Sequence, residues 1–375
     1  MGNQAGIRAG RAFIEVGVDD KLTAGLKKAQ RRLQRFGDSV RRIGAQLAKA
    51  SALTATPFAL SLASFAKFER ALAGVRAALQ ASNGVTTQQF DMLTRKARDL
   101  GKATVLTATD AARGMEVLAR SGQTVDEVMK SIAASMDLAV AGNMDIVEST
   151  GIATKVLRSM GLDVSELGQA MNVLTKIMAS SLASIEDVGE TIKLLGPNAQ
   201  LAGVSLNELA ATFQTFANGS IVGTRAGTTM RSMLASLVDV STKAEGFARL
   251  GFEVKDGIVT FGDLADFIER AQFALQDFTP RQRLGILSKI FERRALPGIA
   301  LLINEGADSF RKMTKDAAES QGILARFAKT LKNTLVGSVL LAISKVTDLA
   351  IEIGGVLVPA VRAALTKFGE WVDDI

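Results

Sequence analysis

The stretch "GQTVDEV", residues 122–128, is echoed by "GLDVSEL" at 161–167 and "GVSLNEL" at 203–209. Each phrase opens on Gly, then offers Thr, Asp or Ser, and three residues further on Glu. That is how a chain ends one helix and begins the next. Thr124, Asp163 and Ser205 can accept a hydrogen bond from the amide three residues on, and Glu127, Glu166 and Glu208 can reach back to the capping residue's own amide. The acids also face the positive end of the helix dipole. Gly122, Gly161 and Gly203 stand where a helix C-terminus calls for a left-handed residue.

The same form recurs in "TTQQ" at 86–89, "TATD" at 107–110 (Thr107 with Asp110), "DIVE" at 145–148 and "SIED" at 184–187. With the three phrases above, seven helix starts follow one another at intervals of 17 to 21 residues. Gly101 and Gly142 precede two of them and are expected to end helices in the same way. Helices of about 12–16 residues joined by short turns pack as antiparallel neighbours, so the echo every forty or so residues marks a two-helix hairpin. The expected fold class is therefore all-α, with a helical-hairpin array as its core. A regular solenoid and a wrapped domain both satisfy this pattern.

Composition agrees. Of 375 residues, 47% are apolar and only 5 are proline, which favours long helices. There is no Cys and no His, which excludes disulfides, thiolate and imidazole chemistry and Cys/His zinc sites. The net charge of +7 is local: the first 49 residues carry eleven Lys and Arg against four Asp and Glu, and the remainder is balanced. The opening "MGNQAGIRAGRAF" has no apolar signal-peptide core, and the residue at position 6 argues against myristoylation.

After a loosely alternating "AFIEVGV" (12–18), Leu22, Leu26, Ala29, Leu33, Phe36, Val40, Ile43 and Leu47 recur at alternating spacings of four and three. This is a heptad seam on a basic helix, coiled-coil-like, and it points to self-association. Packing on its own domain and contact with an anionic surface are the other readings. Pro57 is expected to interrupt the helix that follows, and Phe65, Phe68, Leu72, Val75 and Leu79 then share one face.

Beyond residue 217 the rhythm changes. "ANGSIVGTRAGTTM" places Gly219, Gly223 and Gly227 four apart and lacks the Gly-Lys-Ser/Thr of a phosphate loop. It reads as turns leading into a helix at Thr228–Val240. "FEVKDGIVT" (252–260) reads as a minor β-hairpin around Asp256-Gly257. Helices resume with "TFGDLADFIERAQFAL" and "TPRQRLGILSKIF", where Pro280 takes the first helical position after Thr279. The stretch 323–369 is apolar and helical, but neither "TLVGSVLLAIS" (334–344) nor "IGGVLVPAVRAAL" (353–365) alone reaches the length of a membrane span. A buried or partner-facing helix is the expectation, with conditional membrane insertion as the alternative. No nucleophile elbow, P-loop, dinucleotide fingerprint or HExxH motif occurs, so no enzyme activity and no cofactor or metal is expected.

From about Phe65 to Phe291 the chain resembles the core of phage tail tape measure proteins. The phrases that carry this are "FERALAGVRA", "LTRKARDLGKATVLTATDAARGMEVLARSGQTVDEV", "MDLAVAGNMDIVES", "LLGPNAQLAGVSLNELAATF", "SIVGTRAGTTMRSMLASL", "LGFEVKDGIVTFGDL" and "KIFERRALPGIALLINEG". The preceding "FIEVGVDDKLTAGLKKAQRRLQRFGDSV" resembles that family's N-terminal segment. The resemblance implies a virion component of the tail tube lumen, assembled in the host cytoplasm. It would set tail length and leave ahead of the DNA. Implied partners are further copies of itself, the tail tube protein, a tail assembly chaperone, baseplate or tail-tip proteins and the host inner membrane, with DNA contact indirect. The resemblance places no catalytic residues here. It treats Gly219, Gly223, Gly227 and Thr228, and the Gly196-Pro197 turn with Gly203, as structural. Family members are commonly longer, so a short-tail version or a fragment is expected. A membrane-active helical pore and a peptide-binding α-solenoid scaffold are the rival readings. The expected organisation is a short N-terminal segment (1–20), a basic heptad helix (21–62), the core (63–300) and an apolar helical C-terminal segment (301–375).

Overall fold

Thr124 Oγ1 accepts from the Glu127 amide at 3.4 Å, while Glu127 Oε2 accepts from the Thr124 amide at 2.7 Å. The same reciprocal box opens helices at Thr86/Gln89, Thr107/Asp110, Asp163/Glu166 and Ser205/Glu208. Asp145 caps alone, accepting from the Val147 amide at 2.8 Å.

These caps punctuate a computed structural model that describes residues 55–373 apart from 83, 181–183, 240–241, 256–257 and 260–261. The heptad residues Leu22, Leu26, Ala29, Leu33, Phe36, Val40, Ile43 and Leu47 lie outside the described residues. By its internal contacts the chain divides into residues 1–59 and 60–375, and the packing below belongs to the second unit.

The described helices are α1 (Ala55–Ser82), α2 (Thr87–Ala103), α3 (Ala108–Arg120), α4 (Val125–Gly142) and α5 (Ile146–Met160). A 3₁₀ turn (Val164–Glu166) leads into α6 (Leu167–Ser180), then α7 (Ile185–Leu201), α8 (Leu206–Asn218), α9 (Gly223–Val238) and α10 (Ala244–Arg249). β1 (Val254–Lys255) and β2 (Ile258–Val259) pair antiparallel, with Val254 opposite Val259. There follow α11 (Leu264–Leu275), α12 (Pro280–Leu287), α13 (Leu296–Glu305), α14 (Ala307–Ala318), α15 (Ile323–Lys332) and α16 (Leu335–Asp373). The fold is all-α, with the one minor hairpin where the sequence places it.

Consecutive helices pair as hairpins: α2 with α3, α4 with α5, α6 with α7, α8 with α9. The second members line up as one layer, α3 against α5, α5 against α7 and α7 against α9. The first members line up as another, α2 to α4 to α6 to α8. An open solenoid would stop there. Instead the C-terminal helices return along the first-member layer: α14 on α8, α15 on α6 and α4, α16 on α2. Two apolar cores result. One runs from Phe68 to Ile146 and takes in Ile351; the other runs from Leu138 to Leu324. Helix α4 serves both, with Ile132 and Met136 in the first and Leu138 and Ala141 in the second. Phe252, stacked on Phe267 at 5.2 Å, closes the far end.

The glycines divide into two kinds. Gly122, Gly161 and Gly203 have φ of 89°, 62° and 67°, the left-handed turns expected of them. Gly101 and Gly142 instead lie within α2 and α4, and after α4 the left-handed residue is Asn143 at φ 52°. A Cβ on Gly101 would stand 2.5 Å from the Ala108 nitrogen, so its role is close packing. Gly196-Pro197 is likewise not a turn but lies inside α7, where a Cβ on Gly196 would meet the Ser159 carbonyl oxygen at 2.2 Å. Close approach of α5 and α7 demands glycine there. Gly227 is also helical: α9 starts at Gly223 rather than Thr228 and ends at Val238, and Gly227 lets α7's Thr191 approach. Of that Gly-rich phrase, Gly219 follows α8 at φ −88°, Ser220 supplies a left-handed φ of 61°, and Gly223 has φ 57°. Pro57 falls in the first turn of α1, where a missing N–H breaks no helical bond.

Candidate interaction site

Several charged groups of the array bridge its helices. Arg113 bridges Asp110 and the cap Asp145, and Arg311 bridges Asp266 and Glu269. The hydrogen bonds to Glu269 and Asp266 raise the Arg311 pKa further above its ordinary value. Glu208 does more than its cap requires. Its Oε2 accepts from the Ser205 amide at 2.8 Å, and its Oε1 accepts from the Leu264 amide at 2.8 Å, so one buried carboxylate joins the starts of α8 and α11. Nothing in the local pattern at 205–208 signals the second bond.

Among the described residues, no three of the Asp, Glu, His or Cys side chains gather as a metal-holding group. A surface cleft of about 460 Å³ lies between α7, α9 and residues 292–294, lined by Thr191, Thr228, Arg231, Glu292 and Arg294 among others. It contains one acid and no paired-carboxylate arrangement.

The distinctive surface is α16. The two apolar stretches join into one helix of 39 residues, longer than either suggests alone. By length and composition it could cross a membrane, and only 22% of its most apolar window is buried. Which face is buried runs against the usual order. Toward the protein α16 turns Gly337, Ser344, Asp348, Ile351 and Gly354. Ser344 Oγ donates to the Gly101 carbonyl at 2.5 Å, and Gly354 lies against Ser61 and Phe65 of α1. Asp348, 3% exposed, accepts from Nε and Nη2 of Arg98. Burial works to raise the Asp348 pKa, but the Arg98 hydrogen bond and charge, with Lys102, outweigh it and hold the carboxyl below its usual value.

Away from the protein α16 shows Leu335, Val339, Ala342, Val346, Leu349, Ile353 and Val356, all exposed, from 43% at Ile353 to 82% at Leu335 for the large ones. Their spacing is 4, 3, 4, 3, 4, 3, and Val336, Leu340 and Ile343, exposed beside them, widen the apolar face.

The phage-related minor tail protein family matches residues 94–292, from α2 to the approach to α13. The tape measure protein of Pneumococcus phage Dp-1 is 29% identical over 294 residues, 77% of this chain and 26% of that protein. The probable tape measure protein of Escherichia phage P2 is 24% identical over 265 residues, 69% of this chain and 32% of that protein. The chain thus spans between a quarter and a third of the length of these curated relatives. No solved structure matches it. With residues 94–292, more than half its length, matched, the chain belongs to the phage-related minor tail protein family and is similar to tail tape measure proteins.

Proposed function

We propose that the chain is part of a non-catalytic tail component that sets tail length during tube assembly and aids DNA ejection. The observation that carries this reading is the continuous match to two tape measure proteins over 77% and 69% of the chain. The use of Asp145, Glu208, Arg113 and Arg311 in caps and inter-helix bridges supports a structural role. In this reading the protein lies in the tail tube lumen after assembly in the host cytoplasm. Its partners are further copies, joined by the Leu22–Leu47 seam, the tube protein, an assembly chaperone and baseplate or tail-tip proteins. The host inner membrane is met on ejection, and DNA contact is indirect. Residues 1–20, 21–62, 63–300 and 301–375 act as start segment, basic seam, core and apolar tail.

The physics of a ruler makes this testable. One continuous helix gains about 1.5 Å per residue, whereas a hairpin in a two-layer array advances by about one helix diameter, roughly 10 Å. Used as measured length, this region opens into continuous helix. In-frame removal of α4 and α5, residues 125–160, is then expected to shorten tails by about 54 Å, and duplication of the same segment to lengthen them equally. Electron microscopy of tails measures this. Tails of unchanged length with either change would overturn the reading.

A further inference from the structure

We propose that the cleft between α7, α9 and residues 292–294 is a docking groove for an extended, acidic segment of a partner protein. The groove follows one stripe of α9. Thr224, Thr228 and Ser232 line it at four-residue spacing, so their hydroxyls recur about every 6 Å along the helix. An extended chain presents the N–H groups of one edge about every 6.6 Å, close to the same repeat. From Thr224 to Ala235 the stripe is about 16 Å long, the length of about five extended residues. Its volume of about 460 Å³ is that of a ligand-holding cleft.

Hydrogen-bond chemistry selects a peptide as the occupant. The Thr228 hydroxyl donates to the Thr224 carbonyl at 2.9 Å, and the Ser232 hydroxyl donates to Glu292 Oε2 at 3.2 Å. With their protons so placed, both oxygens are left to accept, and a peptide main chain supplies N–H donors. A nucleic-acid backbone brings phosphate oxygens, which are acceptors too, and the Glu292 carboxylate repels them. Charge selects the acidity. The described lining carries Arg231 and Arg294 against Glu292 alone. Both arginines are exposed, and among the described residues neither has an ion-pair or hydrogen-bond partner. A guanidinium takes a carboxylate through paired N–H donors, so one Asp or Glu of the segment answers the remaining positive charge. The hydroxyl row thus holds the main chain, and the arginines fix its register. The groove is independent of the ruler function.

Binding of the full-length chain to immobilised pentapeptides tests this, with flanks randomised over uncharged residues and Glu, Asp, Gln or Lys at the centre. Retention on the Glu- and Asp-centred sets is expected to exceed that on the Gln-centred set by about tenfold. Arg231→Gln and Arg294→Gln, at exposed side chains with no partner to lose, are each expected to remove most of that difference, with circular dichroism verifying the fold. Thr228→Val keeps the side chain's shape, removes its acceptor oxygen and is expected to weaken retention on every set severalfold. Absence of retention on all sets, equal retention on the Gln- and Glu-centred sets, or undiminished discrimination by the arginine variants would each overturn the proposal. So would release of the bound chain by a short oligothymidylate at lower concentration than by free Glu-centred peptide, which would assign the cleft to nucleic acid.

Discussion

Asp348 on α16 and Arg98 on α2, 250 residues apart in sequence, meet in a two-pronged ion pair, Nε to Oδ1 at 2.9 Å and Nη2 to Oδ2 at 3.0 Å. Arg98 also reaches Glu352 at 2.9 Å, and Lys102 stands 3.3 Å from Asp348. A paired buried charge adds little net stability over an apolar substitute, but it fixes geometry. Here it fixes the rotation of α16: with Asp348 held inward, the apolar face must turn out.

Removing the carboxylate should therefore loosen α16 more than the rest. Asp348→Ala strands Arg98 against Glu352 alone and forfeits two charge-assisted hydrogen bonds, a cost of about 2–3 kcal/mol. Urea unfolding would register the loss, and protease cleavage within residues 335–373 would quicken. A change below about 0.5 kcal/mol, the range of ordinary surface substitutions, would show that the pair does not hold the helix.

Acid should reproduce part of that effect. Burial alone would raise the Asp348 pKa, but Arg98 and Lys102 bring it below the ordinary 3.8. A folded-state pKa below the unfolded one contributes stability that is complete above the unfolded value and is lost as pH falls through the folded one. The contribution should thus persist down to about pH 4 and fade below it. Asp348→Asn should flatten this acid limb in denaturation midpoints measured from pH 6 to pH 2.5, and an identical limb in the variant would contradict the assignment.

Asp137 on α4 predicts the reverse. Burial raises its pKa, with Lys332 only partly opposing. Its ionised form is penalised by folding, so stability is lowered at neutral pH and recovers as the group protonates. Asp137→Asn should unfold later than the parent at pH 7, with the gain vanishing near pH 3.

Two glycines separate turn strain from packing. At Gly122, φ is 89° and a Cβ would meet nothing nearer than Arg158 Nη2 at 4.0 Å, so Gly122→Ala costs only the left-handed penalty, about 1–2 kcal/mol. At Gly196 the Cβ would strike the Ser159 carbonyl at 2.2 Å, and backbone cannot step aside as a side-chain tip can. Gly196→Ala should cost about 3 kcal/mol or more, by prying α5 from α7. Thermal melts that rank the two the other way would refute the division.

That division shows what the sequence could and could not say. Thr124, Glu127 and Gly122 are legible because capping is local: donor, acceptor and turn lie within six residues. Gly101, Gly142, Gly196 and Gly227 look alike on the page, yet Gly196 and Gly227 are shaped by Ser159 and Thr191 on helices distant in sequence and Gly101 by the close start of the next helix at Ala108, so spacing alone places them in turns. The Asp348–Arg98 pair and the return of α14–α16 along the first-member layer are long-range, and no periodicity announces them. In α16 the 4-3 spacing was present in the letters, but only the buried stripe opposite it distinguishes an outward face from a core.

Glu208 gives the sharpest test of local against long-range reading. By pattern it equals Glu127: each closes a capping box, and Glu127 is a half-buried side chain whose loss should cost about 0.5–1 kcal/mol. Glu208 is buried and also accepts from the Leu264 amide at the start of α11. Glu208→Ala strands that buried N–H and uncouples α11 from α8, an added cost of about 1–3 kcal/mol. Glu208→Gln keeps the acceptor oxygens' number at one and should fall between. Chemical denaturation of the four proteins, parent included, should therefore order them parent, Glu127→Ala, Glu208→Gln, Glu208→Ala by decreasing stability. Equal losses for the two alanine variants would mean that the Leu264 bond contributes nothing and that α11 is placed by its apolar face alone.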